Sequence, residues 1–450
     1  MSAMPGDPAD LDAAAAAEAL AAGTLSAREL TAACLARIAD DHHRAWLHVD
    51  AEGALAQARA SDERRAHGRA YHPLDGLPVA VKDNLAVAGM PLTAGMAAHR
   101  GRVAAEDAHA VHKLRRSGAV ILGKTHLCEA ALGADADNPH FGRCLHPGHP
   151  QHSAGGSSSG SAVALALRHC PLALGSDSMG SLRIPAAHCG VVALKPSAAR
   201  VSQRGLVTVS RRLDHVGPMA RRVQDLALVF QQISGLDAQD PHSHSVPLAH
   251  GEHDPEALRI GVLQGLDEFG VSDVVATAFE AAVQRLAPEW RQRVDIHFER
   301  VDLGRWRRAG LLLAEAEMSL THAQILATRP DTVSPSLRAM LDYASSRSAV
   351  DLVGALRRLD EAVLLSRRVF AQVDVLLLPT TPLPPHRIDQ PEPASQADLT
   401  AFANFAGVPA LTLPMGQDPQ GVPLGMQLLG PGGSDLQLLA LGTWMQPRLQ

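Results

Sequence analysis

Apolar and polar positions along this chain follow two alternating rhythms. From Leu11 to Asp40 an Ala-rich stretch has helical period, broken at Gly23, and Ser26-Ala-Arg-Glu29 forms a capping box that opens a second helix. Residues 51–68 continue as an amphipathic helix, and His72 and Pro73 then lead into an apolar strand ending at Lys82. Glu106 to Ser117 reads as a helix and Ala119 to Gly123 as a buried strand. The stretch SAVALALRHCPLALG reads as an apolar helix followed by a short strand, and Val223 to Ile233 as another helix. Asp237 to Asp254 is a polar connection, Ile260 to Leu263 a strand, Val271 to Leu286 a helix and Val294 to Val301 strand-like. Residues 307–369 are largely helical. Val373 to Leu378 returns as a strand ending in PTTPLPP, which cannot be helical. A Pro-rich rim loop over 384–397 follows, then two strand-like runs within Gly407 to Leu429 joined by QDPQG, and one last helix. Strands alternating with helices predict an α/β chain whose sheet is covered on both faces.

The candidate chemistry lies between Gly155 and Pro196, where two Gly/Ser-rich turns, around Ser157 and Ser181, flank apolar sequence. Linkers do not run on into core-forming sequence, so a core holds both turns. A fixed serine with backbone N–H groups nearby is what hydroxyl nucleophilic chemistry requires. Taken singly, the first turn is better read as the N-cap of the helix that follows. In the second, GSDSMGSLRIPA, the chain leaves a strand and enters a helix near Pro185, which places Ser181 beside a helix N-terminus. Upstream, in DGLPVAVKDN, Lys82 closes an apolar strand. A lysine buried there loses solvation and becomes a base near neutral pH, although from the segment alone a snorkelling side chain at a strand edge is the better reading.

GGSSSGSA, GSDSMGSLRIPAAHCGVVALKP and PLDGLPVAVKDN together resemble the amidase signature family, and the resemblance extends over roughly residues 10–435. It implies a single-domain α/β/α sandwich with a central mixed β-sheet, a signature core over about 70–220 and a variable, substrate-covering region over about 300–400. The activity it implies is hydrolysis of a C–N amide bond through an acyl-enzyme. By position, Ser181 matches the nucleophile, Ser157 the bridging serine preceded by a cis peptide bond, and Lys82 the general base. A neutral Lys82 would take a proton from Ser157, which takes one from Ser181. The N–H groups from Ser178 through Met179 and Gly180 to Ser181 would form the oxyanion hole, with Ser158, Asp177 and Arg183 in support; Asp177 and Arg183 are also readable as a surface ion pair. The family implies no metal or cofactor, and dimers are common in it.

Two positions depart from the family pattern. Met179 stands where glycine is usual, as a non-glycine residue also does in carboxybiuret hydrolase-like members, and Ser159 replaces a second glycine. If position 179 needs positive φ, Met is strained there; otherwise its side chain narrows the pocket. Within the family the competing reading is a glutaminyl-tRNA amidotransferase A-type subunit, which needs partner chains. Outside it stands a silent scaffold whose oxyanion loop Met179 has spoiled.

Composition narrows the classes. The 450 residues, 46% hydrophobic and 20% charged, suffice for one large α/β domain or two ordinary ones. A net charge of −6 and 3% aromatics argue against a nucleic-acid surface or a base-stacking platform. The scarcity of aromatics also favours a small or polar amide. The absence of an apolar span or a secretory signal in MSAMPGDPAD makes a cytoplasmic protein the expectation. Five cysteines without a CxxC pair read as reduced, buried thiols. Cys144, His146, His149 and His152 have metal-like spacing, yet Pro147 and Pro150 interrupt them, so exposed loop histidines are the expectation.

Overall fold

The computed structural model describes residues 6–245 and 257–449. Its centre is one mixed sheet of eleven strands: β1 (Trp46–Val49), β2 (Pro78–Lys82), β3 (Val120–Thr125), β4 (Leu172–Asp177), β5 (Val192–Lys195), β6 (His215–Ala220), β7 (Arg259–Leu263), β8 (Gln292–Ile296), β9 (Val375–Pro379), β10 (Ala410–Gln417) and β11 (Pro423–Leu429). Their spatial order is β1-β3-β2-β4-β6-β5-β10-β11-β9-β7-β8. β2 runs parallel to β3 and to β4, and β9-β7-β8 form a second parallel group, with antiparallel pairs between the two.

Strands buried on both faces need helices above and below, which accounts for their nearly unbroken apolar sequences. Helices Val223–Ile233, Asp273–Leu286 and Asp435–Leu449 pack together over the sheet, and Ser159–Ala166 and Arg183–Cys189 pack on β2, β4, β5, β6, β10 and β11. The protein is therefore a single-domain α/β/α sandwich. Ser26 and Glu29 form the expected capping box at the start of Ala27–Ala39. All five cysteines are free and buried.

Some boundaries differ from expectation. The strand-like run from Val294 ends at Ile296, because Asp302 caps a new helix, Leu303–Thr321, through Arg305 N–H. The connection expected over Asp237 to Asp254 is described only as far as residue 245; the remainder lies outside the described residues. The largely helical stretch resolves into Leu303–Thr321, Ala323–Thr328, Pro335–Ser345 and Ala349–Gln372. Among the described residues no helix is long and apolar enough to cross a membrane.

Candidate active site

β2 and β4 are parallel neighbours that end at the same edge of the sheet, so Lys82 and the Ser176-Asp177 pair reach the same crevice, the usual place for a ligand in such sheets. Lys82 is fully buried. Its Nζ lies 2.7 Å from Ser157 Oγ and 3.0 Å from Ser176 Oγ, and Asn84 Nδ2 donates to the same Ser176 hydroxyl at 2.9 Å. Burial lowers the Lys82 pKa to about 8. The snorkelling reading is thereby overturned, since the ammonium has no route to solvent. Ser176 and Asn84 were missed in the sequence, although both lie inside the segments that carry Ser181 and Lys82.

The Gly156–Ser157 peptide bond is cis. Gly156 packs so tightly on the Asp135 backbone that a Cβ would collide with the Asp135 carbonyl, and this contact fixes the turn from below. Ser158 N–H donates to Ser181 O at 3.1 Å, tying the two serine turns together. Among the described residues no hydrogen bond joins the Ser157 and Ser181 hydroxyls. Ser181 is half-buried and lines a cavity of about 310 Å³ with Ser178, Met179, Ile184, Leu311 and Glu392.

The loop leading to Ser181 is held from beneath by charge. Asp177 and Arg183 are both fully buried and meet bidentately, Arg183 Nε at 3.0 Å from Oδ2 and Nη2 at 3.1 Å from Oδ1, so they are not a surface ion pair. Burial alone would raise the Asp177 pKa; Arg183, through charge and hydrogen bonds, and Asn404 hold it far below the carboxylate range. Arg183 also donates from Nη1 to Gln427 Oε1 at 2.8 Å and from Nη2 to Asn404 Oδ1 at 2.6 Å, and Thr400 Oγ1 donates to Met179 O at 2.6 Å. Gly180 N–H is spent on Asp177 Oδ1 at 2.6 Å, so of the four groups expected in the oxyanion hole this one already has an acceptor. Ser178 Oγ donates to Asp214 Oδ1 at 2.6 Å, and burial pushes the Asp214 carboxyl up to about 7. Asn404, Gln427, Thr400 and Asp214 are far from Ser181 in sequence, and no local signal marks them.

Met179 does not adopt positive φ; the left-handed demand falls on Gly180, at φ 135°. The Met179 side chain is nearly buried, with its sulfur against Gly310 of helix Leu303–Thr321, where a Cβ would stand 2.8 Å from it. The substitution therefore narrows the cavity without straining the loop. Ser159 sits buried in the first turn of helix Ser159–Ala166.

The histidine loop differs from expectation. Cys144 and His146 are buried and His149 and His152 are half-buried; His146 Nε2 bonds His188 O at 2.8 Å and His149 Nε2 bonds Gly421 O at 3.0 Å. Burial depresses His146 to about 4, so that ring packs as a neutral group, with His149 and His152 in edge contact along the loop. Among the described residues no cluster of three or more His, Cys, Asp or Glu is placed to hold a metal.

A fold of this topology with serines and a buried lysine at the sheet edge defines a class, and comparison with known proteins agrees. The family model described as Amidase matches residues 29–439, and the chain belongs to that family, whose members act on carbon–nitrogen bonds. Among individual relatives, the A-type subunit of glutamyl-tRNA(Gln) amidotransferase from Chloroflexus aurantiacus is 36% identical, over 96% of this chain and 95% of that protein. The native peptide amidase of Stenotrophomonas maltophilia is 30% identical, with a TM-score of 0.86 over 99% and 98% of the two chains. A protein from a vestigial complex bearing on the origins of an s-triazine catabolic enzyme is also 30% identical, with a TM-score of 0.89 over 97% and 98%.

Proposed function

We propose that this chain cleaves the C–N bond of an amide through an acyl-enzyme on Ser181 and does so as a subunit working with partner chains, in the manner of an amidotransferase A-type protein. The observation that carries the chemistry is the buried 2.7 Å contact between Lys82 Nζ and Ser157 Oγ at the foot of the turn that Ser181 crowns. Neutral Lys82 takes the Ser157 proton, Ser157 takes that of Ser181, and the Ser181 oxygen attacks the amide carbonyl. The second transfer needs the Ser181 hydroxyl to turn towards Ser157 as substrate arrives, since apo contacts of this kind tighten on binding. The N–H groups of Ser178, Met179 and Ser181 remain to receive the oxyanion. The proton then passes back to the leaving nitrogen, ammonia or an amine departs, and water or an acceptor cleaves the ester.

The reading that invokes partner chains draws its support from the near full-length match to A-type amidotransferase proteins and from the likeness to a protein taken from a complex. A free-standing amidase is the second reading, favoured by the likeness to the peptide amidase. Labelling with a fluorophosphonate, read by intact mass on wild type and Ser181→Ala, tests the nucleophile. One adduct lost in the variant is expected; an adduct that persists rejects Ser181. Ammonia release is then measured for the isolated chain and for the chain with its co-purifying partners. Full turnover by the isolated chain rejects the need for partners and leaves the amidase.

A further inference from the structure

The cavity holding Ser181 continues beyond its own walls. Leu132, Gly133, Ser336, Met340 and Glu392 line it and also line a neighbouring cavity of about 490 Å³ that runs past Cys128 and Asp135. Glu392 thus stands where the two spaces share a wall. Most of the wall nearest Ser181 is apolar, with Leu132, Ile184, Leu311 and Met340, so the few charges there decide what can enter.

Those charges are matched, with one exception. Arg307, which lines the cavity holding Ser181, gives its Nε to Asp398 at 2.6 Å. Of the four lining carboxylates, Glu129 lies 2.8 Å from His140 Nε2, Asp135 lies 2.7 Å from Arg143 Nη1, and Asp137 lies 3.6 Å from Arg143 Nε. Glu392 has no cationic group within 4.0 Å among the described residues. Its Oε1 accepts the Ala134 N–H at 2.8 Å, and no hydrogen bond to Oε2 occurs among the described residues. Glu392 as a residue is exposed at the rim of the cavities; local desolvation and the neighbouring Asp135 charge push its carboxyl up to about 7, while the Ala134 N–H and the more distant Arg143 pull the other way.

We infer that Glu392 is a specificity-determining residue and that the site takes an amide bearing a cationic nitrogen, such as a primary ammonium, at the end remote from the scissile carbonyl. The inference rests on Ser181 as the nucleophile. An ammonium reaching the junction supplies the close charge partner that Glu392 lacks and gains a charge-assisted hydrogen bond at the rim of the cavity. A carboxylate in the same place faces an unpaired like charge, which is discrimination by repulsion as well as by attraction.

The test uses the full chain, with any co-purifying partners, at a pH above 8 where Glu392 is ionised. Three amides of equal length end in ammonium, methyl or carboxylate: an ω-aminobutanamide, pentanamide and succinamate. Ammonia release gives kcat/KM for each, in wild type and in Glu392→Gln, which keeps an acceptor for Ala134 N–H. The expected order is ammonium, methyl, carboxylate, with the ammonium-to-carboxylate ratio falling about 10- to 100-fold in Glu392→Gln, the size of a hydrogen bond to a charged group. A wild type that prefers succinamate, or a ratio unmoved in the variant, overturns the inference. If none of the three is turned over, calorimetric binding to Ser181→Ala and to Ser181→Ala with Glu392→Gln decides it. Tighter binding of the ammonium amide that is lost with Gln supports the inference, and equal binding of all three overturns it. Absence of a fluorophosphonate adduct on Ser181 counts against the nucleophile and is read separately.

Discussion

The two walls of the cavity over Ser181 are built in opposite ways. Beneath it, the ends of β2 and β4 and the turns at Ser157 and Ser181 are buried, and nearly every polar group there is claimed: Asp177 by Arg183 and Asn404, Arg183 by Gln427, Met179 O by Thr400. Above it, helices Leu303–Thr321 and Pro335–Ser345 and the loop carrying Glu392, backed by helix Ala349–Gln372, are amphipathic and part-exposed, with Leu320, Val350, Val353 and Leu364 open to solvent. A buried network with all its partners is rigid and intolerant of change, whereas a part-exposed helix face exchanges side chains at low cost. The floor is thus rigid and the cover adaptable, and Met179 meets Gly310 across the two.

The sharpest way to break this contrast is to remove Lys82, the proposed base. Lys82→Ala is expected to lower kcat/KM by about 10⁴-fold or more, the scale seen when members of a catalytic unit are deleted, while the fold survives by circular dichroism. In wild type, kcat/KM should climb about tenfold per pH unit below pH 8 and level above it, because burial sets the Lys82 pKa near 8 and only the neutral amine accepts a proton. The sign for stability is the same: between about 8 and the ordinary lysine value of 10.5 the unfolded chain holds more protons, so stability rises with pH there. A flat profile would assign the base to another group.

Next in size is the floor itself. Arg183→Met leaves Asp177 buried without its counter-charge and is expected to cost about 3–5 kcal/mol in denaturant unfolding; a loss below 1 kcal/mol would show that the network is not what fixes the Ser181 turn. At the seam, Gly310→Ala should cost about 1–3 kcal/mol by forcing its methyl onto Met179 Sδ and the Phe405 ring. Adding Met179→Ala should recover part of that in a double-mutant cycle, and strict additivity would separate floor from cover. The smallest effect belongs to the cover. Val350→Ser on its open face should change stability by no more than about 0.5 kcal/mol, and a larger loss would mean that this face is covered by a partner.

The local sequence determined a good deal by itself. The capping box at Ser26, the apolar strands ending at Lys82 and Leu378 and the two Gly/Ser turns all declare themselves within a few residues, because caps, turns and burial periodicity are short-range physics. Ser157, Ser181 and Lys82 were legible as a set only through their resemblance to a family, since a serine turn or a strand-end lysine is ambiguous taken singly. Tertiary structure decided the rest. It placed Asn404, Gln427 and Thr400 under a loop more than two hundred residues earlier in the chain, decided between a supporting and a surface role for Asp177 and Arg183 by burying the pair, and folded His146 inward as neutral packing. It also set Glu392 between two cavities with no cationic group within 4.0 Å among the described residues. Each of these depends on which groups a mixed sheet brings together after its crossovers, and long-range desolvation and charge pairing leave no periodic trace along the chain.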